Sequence, residues 1–259
     1  MNTAVSADGT AIAFDRFGDG PPVIMVVGAF NTRSTTEPLA RALQEQVTVL
    51  NYDRRGRGDS GDTAPYAVGR EIEDLAALIA AAGGAAAVFG YSSGAILALK
   101  AAATGLPITH LALYEPPFRA DDSHPALPTG LAAQLAELVA ADRPGDAVEL
   151  YQTKAVGIPE DVVAQLRHAP FRPGLEAIAH TLAYDAEIIG DLSLPADLLA
   201  SVTIPALVIS GEQSPPFLRA AARAAAAALP SGRLASLPRQ THDISPEATA
   251  PVMAEFLAT

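Results

Sequence analysis

The sequence predicts an α/β protein, in which a mostly parallel central sheet is flanked by helices and interrupted by a helical cap insertion. Strand and helix patterns alternate up to residue 117 and again from residue 204, which is typical of a sheet with helices on both faces. Residues 23–27 are continuously apolar, as in a strand covered on both sides. Residues 118–200 carry helical patterns without a convincing strand. We therefore predict a core domain, 1–117 and 201–259, and a cap (lid), 118–200.

Each helix or strand is predicted from the spacing of the apolar residues within it. Leu39, Leu43 and Val47 recur at helical spacing, and Ile72, Leu75 and Ile79 do the same further on. In the first half we predict strands at 4–7, 11–17, 23–27, 47–52, 85–89 and 108–114, and helices at 37–46, 68–82 and from 93 onward. In the insertion we predict helices at 131–141, 146–155, 160–167 and 175–189, separated by prolines. Strands at 204–210 and 233–237 and helices at 217–229 and 246–257 complete the core.

The composition narrows the function classes. The 259 residues include 17 Lys and Arg against 29 Asp and Glu, a formal charge of −12. An acidic chain repels nucleic acid and anionic lipid, so we expect neither as a partner. The chain contains no cysteine, which excludes disulfides and thiolate chemistry. We see no signal peptide and no apolar run that would span a bilayer, and we expect a cytoplasmic protein.

The chemically most informative segment is Gly90-Tyr91-Ser92-Ser93-Gly94. An apolar strand precedes it and a helical pattern follows it. Side chains at the two Gly positions would collide with the strand and helix that meet at the turn. A serine at the tip of such a strand–turn–helix element is the context in which this motif carries a nucleophile.

The motif resembles the nucleophile elbow of the α/β-hydrolase superfamily. Members place the triad in the chain order serine, acid, histidine, and a serine hydroxyl needs such a base and acid to react at neutral pH. His242 lies in a loop between the last strand and the last helix, where this fold carries its base. The other four histidines are poorer candidates, because we place them at a strand start, in a loop and in cap helices. They are His110, His124, His168 and His180.

The position of the triad acid departs from the usual pattern of the family. The position that commonly holds Asp, in the turn after strand 204–210, is Ser214. Glu115, at the end of strand 108–114, and Glu212, in the same turn as Ser214, are the two candidate carboxylates. We favour Glu115, because some members carry the acid at that strand end and because a carboxylate at the end of an apolar strand needs a partner. The combination of Ser92, Glu115 and His242 resembles the fungal zearalenone lactonases, which implies lactones as substrates.

Two backbone N–H groups must stabilise the oxyanion of an acyl-transfer reaction. Ser93 follows the nucleophile and opens a helix whose dipole helps. Ala29, or Phe30 next to it, is the second candidate, since it follows the Val27-Gly28 pair where the family often has His-Gly.

The charged turn Asp53-Arg54-Arg55-Gly56-Arg57-Gly58-Asp59-Ser60 is similar to one that family members carry. We interpret it as structural, with charges that pair within the turn and hold the loops around the elbow. An anion site at this turn is the alternative.

The cap should close the pocket over the serine. Its apolar side chains suggest an apolar acyl or ring-bearing substrate. Our candidate substrate-binding residues are Phe30, Tyr91, Phe118, His180 and Tyr184. No spacing in the sequence is that of a metal site or a nucleotide-binding loop, so we expect neither a metal nor a cofactor.

The leading hypothesis is a serine hydrolase that cleaves a small carboxylic ester or lactone through an acyl-enzyme. A cofactor-free lyase or cyclase on the same fold is a second hypothesis. A non-catalytic small-molecule binder is a third, motivated by the missing Asp at position 214. The expected partner is a small-molecule ester or lactone, and the sequence leaves a homodimer open.

Overall fold

The computed structural model describes residues 1–121 and 125–259. The strands are β1 (Asn2–Val5), β2 (Ala11–Phe17), β3 (Pro22–Val26), β4 (Thr48–Tyr52), β5 (Ala86–Tyr91), β6 (Ile108–Tyr114), β7 (Ala206–Gly211) and β8 (Gly232–Leu237). Within the described ranges they form one eight-stranded sheet in the order β1-β2-β4-β3-β5-β6-β7-β8. β2 pairs antiparallel with β1 and β4, and the other pairs are parallel. The predicted mostly parallel sheet is confirmed.

The helices cover both faces of this sheet. In chain order they are α1 (Glu37–Leu43), α2 (Val68–Ala81), α3 (Ser93–Ala103), α4 (Leu131–Ala140), α5 (Pro144–Tyr151), α6 (Glu160–Leu166), α7 (Arg172–Ala177), α8 (Thr181–Ile189), α9 (Ala196–Ser201), α10 (Pro216–Ala228) and α11 (Pro246–Leu257). Helices α1 and α11 pack on one face together with Val23 and Met25 of β3. Helices α2, α3 and α10 pack on the other face with Ile24 and Val26. This alternation follows from the two-residue period of a strand, and it explains why residues 23–27 are continuously apolar.

Helices α4–α9 form the insertion between β6 and β7. Most of its buried apolar side chains, among them Leu182 and Ile188 of α8, belong to the same apolar cluster as Leu97 of α3. The insertion is anchored to the core through α8 and α9. In the described part of the chain, no helix combines the length and apolarity that a bilayer crossing needs.

One predicted helix, 175–189, is wrong as a single element. The structure has two helices there, α7 and α8, separated at residues 178–180. Thr181 Oγ1 donates to the Ile178 carbonyl at 2.8 Å, and such local side-chain bonds compete with a continuous helical ladder. The break lets α8 turn toward the core independently of α7.

Candidate active site

Ser92 lies at the junction of β5 and α3, where the chain reverses within one residue. Its backbone is at φ 55° and ψ −123°, a conformation that costs a non-glycine residue about 1–3 kcal/mol and is found where function requires it. A Cβ on Gly90 would lie 2.5 Å from Ala95 Cα, and one on Gly94 would lie 2.4 Å from the Val26 carbonyl oxygen. Both glycines are thus required by close backbone approach, and together they hold Ser92 at the tip of the turn.

Glu115 and His242 form a hydrogen-bonded pair. His242 Nδ1 lies 2.6 Å from Glu115 Oε2. The carboxylate is fully buried, and its other oxygen accepts the Gly211 N–H at 2.8 Å and the Ser210 hydroxyl at 3.1 Å. A buried carboxylate with all of these partners is well satisfied. Because Nδ1 is engaged by Glu115, the nitrogen of His242 left for a substrate or for Ser92 is Nε2.

Tyr114 fixes the loop that carries His242, a role that the sequence did not reveal. Its hydroxyl donates to the carbonyl oxygens of Thr241 and Asp243, at 3.1 and 3.2 Å. These are the residues on either side of His242. The Tyr91 ring lies beside the imidazole, with centroids 5.0 Å apart. The strand ends of β5 and β6 therefore orient the histidine as well as the carboxylate.

The other candidate for the acid, Glu212, does not form such a pair, and neither does the position where the family commonly has its acid. Glu212 is exposed to solvent. Ser214, at the position where the family commonly has Asp, is buried, and its hydroxyl has no hydrogen-bond partner within the described residues. The carboxylate in contact with His242 is Glu115.

The loop after β3 lies against the nucleophile. A Cβ on Gly28 would be 2.9 Å from Ser92 Cβ, so the next residues, Ala29 and Phe30, flank the serine. Phe30 has φ 64°, a left-handed conformation that is uncommon outside glycine. Ser93 is the first residue of α3, and N–H groups in the first turn of a helix have no acceptor within the helix. The loop after β3 and the start of α3 therefore both lie beside Ser92, with Ala29, Phe30 and Ser93 in the wall of the same cavity.

These residues open into a cavity of about 330 Å³. Two of the five predicted substrate-binding residues, Phe30 and Tyr91, lie in its wall. Its described lining consists of Ala29, Phe30, Asn31, Tyr91, Ser92, Ser93, Pro117, Tyr151, Ala155, Val156, Ile189, Pro215, Phe217, Leu218 and His242. Burial raises the pKa of the Tyr91 and Tyr151 phenols, so both are neutral. The wall is apolar and, among the described residues, contains no Asp, Glu, Lys or Arg.

The other three predicted substrate-binding residues lie elsewhere, which corrects the expectation that they line the pocket. Phe118 is buried in the apolar core cluster. Tyr184 stacks on Tyr66 at 3.8 Å between ring centroids and donates its hydroxyl to Asp62. His180 lies 3.7 Å from the same carboxylate. Tyr184 of α8 and His180 just before it contact Asp62 in the loop after β4, whereas Asp185 of the same helix is buried.

The other histidines that the structure describes form no contact with the pair. The His110 ring packs edge-on against Phe256 at 5.3 Å, and burial lowers the pKa of its imidazole. His168 is exposed in the insertion. His124 lies outside the described residues.

The arginines of the 53–60 turn are buried and paired, but their partners lie outside the turn. Arg54 forms a two-bond contact with Glu71, at 2.7 Å for each bond, and Arg55 does so with Asp74, at 2.9 and 2.7 Å. Arg57 pairs with Asp185 of α8. The structural interpretation of the turn is thus retained, while the expected pairing within the turn is wrong.

Asp185 is the buried residue that the sequence analysis overlooked. It falls three residues after Leu182 and three before Ile188, on the apolar side of the stretch Thr181–Ile189, whereas Glu187 of the same stretch is exposed. That position was the available signal. Among the described residues, no cluster of three His, Cys, Asp or Glu has the arrangement of a metal site.

A nucleophile elbow at the carboxyl end of a central parallel strand, with a histidine–carboxylate pair from two later loops, defines the α/β-hydrolase class. Comparison with known proteins agrees. Residues 23–255 match the model of the alpha/beta hydrolase family, and the chain belongs to that family. It is therefore a hydrolase enzyme.

Three relatives show the range of similarity. A solved alpha/beta hydrolase from Sphaerobacter thermophilus is 54% identical, with a TM-score of 0.93 over 99% of this chain and 100% of that one. The 2-(acetamidomethylene)succinate hydrolase of Mesorhizobium japonicum is 28% identical over 93% of this chain and 89% of its own length. The enol-lactonase of Burkholderia xenovorans is 22% identical, with a TM-score of 0.72 over the full length of both chains, and shares the fold.

Proposed function

We propose that this protein is a serine hydrolase that cleaves a small, uncharged carboxylic ester or lactone through an acyl-enzyme. The observation that carries the proposal is the hydrogen bond between His242 and the buried Glu115, at the rim of an apolar cavity that also contains the strained Ser92. A non-catalytic binder would have no need of this pair. Within this pair, Glu115 takes the place of the Asp that family members commonly have at position 214.

In the proposed reaction, Ser92 Oγ attacks the carbonyl carbon while His242 Nε2 accepts its proton. The carbonyl oxygen becomes negative and accepts hydrogen bonds from the N–H of Ser93 and from that of Ala29 or Phe30. When the C–O bond breaks, His242 returns the proton to the leaving alkoxide. Water then attacks the acyl-enzyme with His242 as base, which releases the acid and restores Ser92. Glu115 stabilises the imidazolium at both stages.

Active-site labelling tests this function. A fluorophosphonate probe should form one adduct per chain, and peptide mass mapping should place it on Ser92. With an activated ester in excess, a burst of about one equivalent of alcohol is expected if deacylation is slower than acylation. An adduct on another residue, or turnover of an ester by enzyme that the probe has fully modified, would contradict the proposal.

The uncharged wall of the cavity predicts selectivity against anionic acyl groups. Burying a carboxylate without a partner is costly, so p-nitrophenyl butyrate should be hydrolysed with a kcat/KM about 100-fold above that of p-nitrophenyl hemisuccinate. The methyl ester of the hemisuccinate restores neutrality and is the control for size and polarity. Equal kcat/KM values for the butyrate and the hemisuccinate would show that a cation reaches the acyl group.

A further inference from the structure

A buried ionic cluster connects the cap helix α8 to the nucleophile elbow. Its centre is Asp185, which is fully buried, and its cations are Arg54 and Arg57, each 1% exposed. Glu71, also 1% exposed, is the second anion. The two guanidiniums and two carboxylates balance in charge, which allows such a group to remain ionised away from water.

Asp185 contacts the elbow directly. Its Oδ1 accepts the Ser93 hydroxyl at 2.7 Å and Arg54 Nη1 at 2.8 Å. Its Oδ2 accepts Arg57 Nη2. Burial by itself would raise the pKa of Asp185, but the two guanidiniums outweigh it and hold that pKa below its ordinary value. The carboxylate is therefore a charged acceptor for all three donors.

The same two arginines hold the loop after β3. Arg57 Nη1 donates to the Gly28 carbonyl at 2.6 Å and to the Asn31 carbonyl at 3.3 Å. Arg54 Nη1 donates to the Val27 carbonyl at 3.3 Å. The carbonyl oxygens of residues 27, 28 and 31 flank Ala29 and Phe30, which lie in the cavity wall together with Ser92. Asp185 thus bonds directly to Ser93, and it connects to the loop after β3 through the side chain of Arg57.

We propose that Asp185 is a positioning residue that aligns the two halves of the oxyanion hole and makes its geometry depend on docking of the cap helix α8. This inference rests on the proposed function. Oxyanion stabilisation is sensitive to donor position, because the donors must meet the oxygen of the tetrahedral intermediate without reorganising. A carboxylate from the cap that binds both donor segments supplies that rigidity. Asp185 itself is absent from the described lining of the cavity, so it acts through Ser93 and Arg57.

The test is Asp185→Asn, which keeps the shape but removes the charge and replaces one acceptor by a donor. We expect kcat for p-nitrophenyl butyrate to fall about 100-fold, as misplaced catalytic groups do, while KM changes less than about threefold because the apolar wall is intact. A trifluoromethyl ketone forms a tetrahedral oxyanion on the serine. Its affinity should fall in proportion to kcat rather than with KM.

Asp62→Asn is the matched control. Asp62 also joins the cap to the core, by accepting the Tyr184 hydroxyl at 2.9 Å, but it does not contact the elbow or the loop after β3. Its kcat, KM and affinity for the ketone should remain close to those of the wild type. Ser93→Ala is the second probe if Asp185→Asn does not fold, because it keeps every charge and the Ser93 N–H. It should lower kcat and the affinity for the ketone together.

The outcomes separate this inference from the proposed function. If Ser92 is labelled and turns over esters, but Asp185→Asn and Ser93→Ala leave kcat and the affinity for the ketone unchanged, the positioning role is wrong and the hydrolase proposal stands. If Asp62→Asn causes the same loss as Asp185→Asn, cap docking alone is responsible and Asp185 has no specific role. If the wild type shows no labelling of Ser92 and no ester turnover, both proposals fail.

Discussion

Replacement of Ser92 by alanine is expected to lower ester turnover by about 10⁴-fold or more, to the level of the uncatalysed reaction plus residual stabilisation by the oxyanion donors. The effect is large because the alanine side chain cannot form the acyl-enzyme, so His242 and Glu115 have no hydroxyl to activate. Steady-state hydrolysis of p-nitrophenyl butyrate measures it. The Ser92→Ala variant should also lose all labelling by the fluorophosphonate.

Ser231→Ala is a suitable control for this experiment. Ser231 is exposed, and its hydroxyl donates to the Thr203 carbonyl at 3.2 Å, on a loop before β8. Labelling and turnover should match the wild type. A Ser92→Ala variant that retains a few per cent of kcat would rule out an acyl-enzyme on this residue and favour the lyase or cyclase hypothesis, in which the pocket acts without a covalent intermediate.

Replacement of Glu115 by glutamine is expected to lower kcat by about 10³- to 10⁴-fold, as neutralising the acid of a triad does. Glu115 Oε1 accepts two hydrogen bonds, from Gly211 N–H and Ser210 Oγ, and Oε2 faces His242 Nδ1. If the new amide turns its NH₂ toward His242, Nδ1 must become the acceptor and Nε2 carries the proton. The imidazole is then in the tautomer that cannot accept a proton from Ser92.

The opposite orientation of the amide would place its NH₂ against the Gly211 N–H, leaving two buried donors in conflict. Glutamine at this position therefore disrupts either the tautomer or the loop. Glu212→Gln is the matched control, because Glu212 is exposed and is only a few residues from Ser210 and Gly211. Its kcat should stay within about twofold of the wild type, as for most surface substitutions.

Thermal unfolding distinguishes a catalytic loss in Glu115→Gln from loss of the fold. Equal kcat values for the Glu115 and Glu212 variants would show that Glu115 is not the acid. If both variants lost activity to the same large extent, Glu212 in the turn after β7 would have to influence His242 by a contact other than the one with Glu115.

The nucleophile elbow was predictable from sequence because its cause is local. Gly90 and Gly94 are required by contacts within a few residues of Ser92 or with the adjacent strand, and the apolar strand and the helix are adjacent in sequence. The pairing of Glu115 with His242 was predicted differently, from chain order and from a resemblance. The two residues are 127 positions apart, and no periodicity joins them.

The insertion shows where local patterns were not enough. Residues 175–189 have a continuous helical pattern, yet the helix breaks at 178–180, and α8 buries the carboxylate of Asp185. Tyr184 stacks on Tyr66, His180 lies beside Asp62, and neither belongs to the described lining of the cavity. Hydrophobic periodicity identifies a buried face, but it does not say which neighbouring element that face meets.

The sequence by itself determined the alternation of strands and helices, the parallel sheet and the strand–turn–helix position of Ser92, because periodicity and glycine sterics act over a few residues. Only the tertiary structure decided between Glu115 and Glu212 as the partner of His242, showed which side chains form the cavity wall, and showed that Arg54 and Arg57 pair with Asp185 of the insertion. The physical reason is that burying a charge requires a partner in space, and that partner can lie anywhere along the chain.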